Sequence, residues 1–248
     1  MGMRKSLASY QAVFLDAGDT LITTPDSYKA FKTCLDGKGL KTDEREVRKL
    51  LAAAIERYYY RKEKDEYAVC SPDSDRNYWI GIYEAVLSGL GAQQYLETVE
   101  IVRLCNELYE LFVSPELYVL FEDVLPALER FSREGYRLGI VSNFAPTLHD
   151  ILRHLNVLHY FDPIIVSTEV GLEKPNPAMF RLALEQAKLE GTDVLFVGDH
   201  EVNDIWAAER AGMDAVQIVR YPDQSGEGEI IHTLIDLFTI GGQIREYG

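Results

Sequence analysis

Apolar and polar positions fall into two regimes along this chain. Four short aliphatic runs, Ala12-Val13-Phe14-Leu15, Leu138-Gly139-Ile140-Val141, Ile164-Ile165-Val166 and Val194-Leu195-Phe196-Val197, each end beside polar residues or glycine. Unbroken rather than alternating apolarity marks a strand buried on both faces, so these read as parallel strands. A fifth run, Ala215-Val216-Gln217-Ile218-Val219, follows a helical segment over residues 204–212. Helix-period segments over 124–134, 147–156 and 177–188 separate the later runs, so strand and helix alternate from about Phe121 onward. That alternation predicts an α/β fold built on a doubly wound parallel sheet.

Residues 24–116 follow another pattern, helical throughout and without a convincing strand. Over 44–64, Val47, Leu50, Leu51, Ala54, Ile55 and Tyr58 recur at helical spacing, and Asp43 with Glu46 has capping-box spacing. Helical patterns continue over 78–90 and 95–112, with Gly89, Gly91 and Ser114-Pro115 as breaks. The expected organisation is a sheet domain made of residues 1–23 and 117–248, interrupted after its first strand by an all-helical insertion over 24–116.

Composition narrows the partners. Forty acidic against 25 basic residues give a net charge of −15, which argues against nucleic acid because phosphate-backbone binding needs clustered Lys and Arg. No apolar stretch approaches the roughly 20 residues of a membrane span, and the first residues lack the apolar run of a secretory signal. Cys34, Cys70 and Cys105 are odd in number, widely spaced and without a Cys-x-x-Cys pair, which fits a reducing compartment. A cytoplasmic protein is expected.

In an open parallel sheet the ligand crevice lies beyond the carboxyl ends of the strands, so polar residues that follow the apolar runs should converge there. They are Asp16-Ala17-Gly18-Asp19-Thr20-Leu21, then Ser142-Asn143, then Glu173-Lys174-Pro175, then Gly198-Asp199-His200-Glu201-Val202-Asn203-Asp204. Singly, each reads as a cap, a surface pair or a turn. Together they supply a carboxylate nucleophile, hydroxyl and amide donors, a cation, and further carboxylates able to hold a divalent metal. Magnesium prefers one or two carboxylates plus phosphate and water, which Asp16 and Asp199 can provide, with a phosphoryl group against Lys174 and Ser142.

In order and spacing these segments resemble the haloacid dehalogenase-like (HAD) hydrolases. The family's strand-Asp-x-Asp-x-Thr-Leu is matched by Asp16, Thr20 and Leu21, its strand-terminal Ser or Thr by Ser142, its Lys by Lys174-Pro175-Asn176-Pro177, and its Gly-Asp with a second Asp five residues on by Gly198, Asp199 and Asp204. The resemblance implies a Rossmann-like core and a helical, C1-type cap, the latter matching residues 24–116. It further implies a phosphatase of small phosphorylated metabolites that depends on magnesium (Mg2+). Asp16 would form an aspartyl-phosphate, Ser142 and Lys174 would hold phosphoryl oxygens, and Asp204 would orient Lys174 or metal-bound waters. Thr20 and Asn143 join them against the substrate; Asp16, Asp199 and the Gly18 carbonyl would hold the metal. Asn143 and His200 serve equally well as turn and capping residues.

Gly18 departs from the pattern, because family phosphatases carry there the Asp that protonates the leaving alcohol. Asp19 is one backbone step away and would stand in only if the loop were remodelled. A placed acid contributes about 10²–10⁴-fold, so attenuated hydrolysis of alkyl phosphates is expected, while acyl phosphates and nitrophenyl phosphate should suffer less. Two other readings stay open: another hydrolytic branch, such as a phosphonatase-like one using a lysine of the insertion (Lys29, Lys32, Lys38, Lys62 or Lys64), and a non-catalytic binding protein using Tyr58-Tyr59-Tyr60 or Tyr78-Trp79.

Overall fold

The computed structural model describes residues 5–58, 70–222 and 230–239. Lys62, Lys64, Tyr59 and Tyr60 lie outside these residues, as does the end of the helical pattern over 44–64. Among the described residues the chain divides into two compact units, one holding 5–23, Cys70, 120–222 and 230–239, the other 24–58 and 71–119.

Strands and helices in chain order are β1 (Ala12–Leu15), β2 (Ile22–Thr23), α1 (Ser27–Gly37), α2 (Glu44–Tyr58), α3 (Pro72–Gly89), α4 (Thr98–Phe112), β3 (Val119–Leu120), α5 (Val124–Arg133), β4 (Arg137–Ser142), α6 (Leu148–His154), β5 (Phe161–Val166), α7 (Ser167–Val170), α8 (Pro177–Ala187), β6 (Val194–Gly198), α9 (Ala207–Arg210), β7 (Asp214–Ile218) and β8 (Ile230–Ile231).

Six strands form one parallel sheet in the order β5-β4-β1-β6-β7-β8. The expected runs make it, for the reason their composition gave: β1 and β6 are buried along their whole length. Phe14 and Phe196 pack with Phe180 and Met179 of α8, the Phe180 and Phe196 rings meeting edge-on at 4.9 Å. Each such ring contributes about 1.5–3 kcal/mol on leaving water. Asn176 opens α8 by accepting a hydrogen bond from the Ala178 N–H, with Pro177 in the first helical position. The chain winds outward from β1 through β4 to β5, then returns to β1's other side with β6. The reversal leaves a crevice at the carboxyl ends of β1, β4 and β6.

The other unit is helical, as its pattern predicts. Phe31 and Leu35 of α1, Val47 and Leu51 of α2, Ile82 and Leu87 of α3, and Leu104 and Leu108 of α4 share one apolar core. Tyr78, Trp79 and Tyr83 belong to the same packing, with Trp79 stacked on Tyr83 at 6.3 Å and Tyr83 on Phe112 at 5.6 Å. Two boundaries differ from the pattern. Helix α3 begins at Pro72 because Ser71 and Ser74 form a capping box, and α4 starts at Thr98, where the Glu100 carboxylate accepts from the Glu97 N–H. Asp43 caps α2 through the Arg45 N–H. Of the candidate lysines, Lys29 is exposed, Lys32 pairs with Asp36 and Lys38 with Glu107, all on the surface. No helix among the described residues is long and apolar enough to cross a membrane.

Candidate active site

Asp16 follows the last residue of β1, and its N–H donates to Val197 O of β6 at 2.9 Å, so the sheet ladder itself delivers its side chain to the crevice. The loop then closes tightly, the Leu21 and Ile22 amides donating to Ala17 O at 2.8 and 3.0 Å. Ser142 ends β4 and is buried. Lys174 reaches in from the segment before α8 and Asp204 from the segment after β6, and both are buried.

These residues converge. The Lys174 ammonium donates to Asp16 Oδ1 at 2.6 Å and to Asp204 Oδ1 at 2.5 Å. Single carboxylate oxygens of Asp16, Asp199 and Asp204 lie within 4.8 Å of one another. Burial disfavours a charged lysine, but the charges and hydrogen bonds of Asp16 and Asp204 outweigh it and raise the Lys174 pKa, so the ammonium is held. Asp199 is pushed well above the usual carboxylate range, first by burial and then by Asp204 and Asp16. Two carboxylates thus share one ammonium with a third carboxylate beside them, a set that fits a hard divalent cation bound through oxygen.

Both oxygens of Asp204 are engaged, Oδ1 by Lys174 and Oδ2 by the His200 N–H at 3.0 Å. Gly198 makes that placement possible: a Cβ there would sit 2.4 Å from Asp204 Cγ and 2.5 Å from its Oδ2. His200 caps the π-helical turn Glu201–Trp206, its Nδ1 accepting from the Val202 and Asn203 amides. Asn143 spends its amide on the lysine's backbone, Nδ2 donating to Lys174 O at 3.0 Å and Oδ1 accepting from Lys174 N–H at 2.7 Å. Thr20 is fully buried, and its Oγ1 has no hydrogen-bond partner among the described residues.

At Gly18 a Cβ would meet nothing within 4 Å. Asp19 takes a left-handed conformation, φ 49°, and its Oδ1 accepts from the Tyr221 hydroxyl at 2.8 Å. Burial raises its pKa, against the opposing effect of that hydrogen bond.

Three contributors escaped the sequence reading. Gln217 of β7 donates to Asp199 O at 2.8 Å, and Arg220 and Tyr221 contact the loop after β1. Gln217 did carry a signal, a lone amide inside an apolar run, and Arg220-Tyr221 follow that strand's end just as the other site segments follow theirs.

The family model for haloacid dehalogenase-like hydrolases matches residues 10–212. "Haloacid dehalogenase-like hydrolase domain-containing protein 3" of Danio rerio is 32% identical over 136 residues, 55% of each chain. The glyceraldehyde 3-phosphate phosphatase of Methanopyrus kandleri is 37% identical over 101 residues, 40% of this chain and 43% of that one. The chain spans about half the length of the curated relatives it matches. In fold it is similar to a HAD phosphatase from Thermococcus onnurineus (TM-score 0.62, 24% identity, 93% of this chain and 97% of that one). It is likewise similar to the L-2-haloacid dehalogenase of Xanthobacter autotrophicus (TM-score 0.64, 16% identity, 93% and 97%). With the four strand-end segments gathered at one crevice and the family model spanning them all, the chain belongs to the haloacid dehalogenase-like hydrolases.

Proposed function

We propose that the protein is a magnesium-dependent phosphatase of small phosphorylated metabolites in the cytoplasm, working through an aspartyl-phosphate on Asp16. The observation that carries this reading is the buried pairing of Asp16 and Asp204 with the Lys174 ammonium, with an Asp199 carboxylate oxygen within 4.8 Å of theirs. The phosphatase named among the relatives supports it. Asp16, Asp199 and the Gly18 carbonyl would hold the metal, which when bound supplies charge neutralisation at the phosphoryl oxygens.

Asp16 attacks phosphorus, forming the aspartyl-phosphate as the bond to the leaving oxygen breaks. Lys174 and Ser142 hold the phosphoryl oxygens, with Thr20 and Asn143 completing the site. Asp204 and Asn143 keep Lys174 in place, one at its ammonium and one at its backbone. Water then hydrolyses the aspartyl-phosphate, releasing phosphate and restoring the carboxylate. The helical unit, residues 24–116 in the sequence reading, serves as the cap.

Without a carboxyl at position 18 the leaving alkoxide takes its proton from water. Hydrolysis of alkyl phosphates is therefore attenuated, by about 10²–10⁴-fold relative to a site with a placed acid, and activated phosphates are the better substrates. The test is a magnesium-dependent hydrolysis screen of acetyl phosphate, p-nitrophenyl phosphate and alkyl phosphomonoesters with the wild type and Asp16→Asn. Magnesium-dependent turnover that disappears in Asp16→Asn is expected. Turnover surviving in that variant would sink the nucleophile assignment.

A further inference from the structure

Two consecutive residues from the segment after β7 grip two consecutive residues of the nucleophile loop. The Arg220 guanidinium donates to Thr20 O through Nη2 at 2.6 Å and Nε at 3.2 Å. Tyr221 donates its hydroxyl proton to Asp19 Oδ1 at 2.8 Å. Each gripping side chain is itself anchored. Arg220 pairs with Asp123 at 2.7 Å, lies 4.3 Å over the Phe121 ring and is buried, while Asp123 accepts from the Leu234 N–H at 2.6 Å. The Thr23 hydroxyl lies 2.7 Å from the Tyr221 oxygen, and since Tyr221 donates to Asp19, Thr23 donates to Tyr221.

The gripped loop needs holding. Asp19 sits at φ 49°, a region that costs a non-glycine residue on the order of 1 kcal/mol and persists only where its surroundings over-determine it. Gly18 beside it has no side chain, meets no neighbour at its Cβ position and adds backbone freedom between Asp16 and Asp19. A nucleophile displaced by about 1 Å can lose about 10²-fold in rate.

We propose that Arg220 and Tyr221 are positioning residues that fix the nucleophile loop, supplying from the segment after β7 the rigidity that the backbone at Gly18 lacks. Neither touches the reacting atoms; they act through the Thr20 carbonyl and the Asp19 carboxylate. The catalytic half of this inference rests on the phosphatase reading above, and the structural half does not.

The experiment therefore has two arms, on the full chain with wild type, Tyr221→Phe, Arg220→Lys, Gly18→Ala, and Gly18→Ala combined with Tyr221→Phe. Amide hydrogen exchange across residues 16–21 reads the loop without turnover, and steady-state hydrolysis of p-nitrophenyl phosphate reads positioning. Tyr221→Phe removes one hydroxyl and should lower the melting temperature by only about 2–4 °C. It should speed exchange in 16–21 about tenfold, the worth of one such hydrogen bond, while β4 and β6 exchange as before. It should also lower kcat about tenfold with KM within about twofold. Arg220→Lys keeps the charge near Asp123 but loses the two-pronged hold on Thr20 O, and should act in the same direction. Gly18→Ala restricts the backbone without a clash and should restore most of the kcat lost in Tyr221→Phe. Unchanged loop exchange in Tyr221→Phe, or faster exchange spread evenly through the sheet, would overturn the proposal. If no phosphate ester is turned over by the wild type, the functional reading fails and the exchange arm still decides the clamp.

Discussion

Two acidic loops meet in the crevice, and each contains a glycine that means something different. At the end of β6, Gly198 lies where the Asp204 carboxylate crosses the backbone, so close that any Cβ would overlap its atoms. After β1, Gly18 faces open space, and the backbone there does not need a glycine's conformational range. The first glycine is a requirement of packing, because Asp204 reaches both Lys174 and the His200 N–H only across it. The second is the absence of a functional group in a position that could hold one. Sequence identity alone makes the two look alike; the space around the missing Cβ separates them.

The largest effect should come from removing the cation both loops share. Lys174→Met leaves Asp16 and Asp204 buried without their partner, a change expected to cost about 3–5 kcal/mol in chemical unfolding. Saturating magnesium, at about 100 times its dissociation constant, should return about 2.7 kcal/mol. A cost below about 1 kcal/mol would mean that the folded carboxylates do not depend on Lys174 for neutralisation.

The two glycines can then be set against each other directly. Gly198→Ala forces Asp204 aside and should lower stability by about 1–3 kcal/mol, the usual penalty of overpacking. Its kcat should fall on the order of 10²-fold as Lys174 loses its seat. Gly18→Asp should instead leave the melting temperature within error and raise hydrolysis of alkyl phosphates toward about 10²-fold, the lower end for a placed acid. Acetyl phosphate should change little. A Gly18→Asp protein that is unstable, or one as slow on alkyl esters as the wild type, would erase the distinction between the two positions.

The smallest effect lies outside both loops, in the segment that backs Arg220. Burial by itself would raise the Asp236 pKa, but amide hydrogen bonds from Thr233 and His232 lower it. A depressed folded pKa stabilises the protein above the unfolded value of about 3.9 and loses that contribution as pH falls through the folded value. Asp236→Ala should therefore cost about 1 kcal/mol at pH 7, as for a lost cap, with the difference from wild type shrinking below about pH 4. A difference that is constant across that range would remove the carboxylate from the explanation.

Much of the fold was legible because its determinants are local. Strands buried on both faces must be apolar throughout, so β1, β4 and β6 announce themselves, and the helical unit shows its one-sided apolar periodicity. Strand β8 is illegible because only its pairing with β7 makes two residues a strand. The site was legible to the extent that strand ends converge. Asn143 reads as a ligand or turn residue until the Lys174 backbone is seen beside it. Arg220 and Tyr221 stand at a strand end like the other site segments, but their grip on Thr20 and Asp19 is illegible because those partners lie about 200 residues away.

The pairing of Asn143 with both polar groups of Lys174's backbone gives a side chain the job of a strand's peptide group. It adds one ladder rung where no strand runs. That rung joins two points 31 residues apart and fixes the lysine's height above the sheet locally, independent of the path between them. Insertions and deletions within the surface turns of that path are accordingly free to accumulate without moving the ammonium, whereas an Asp at 143, isosteric but unable to donate, breaks the rung at once.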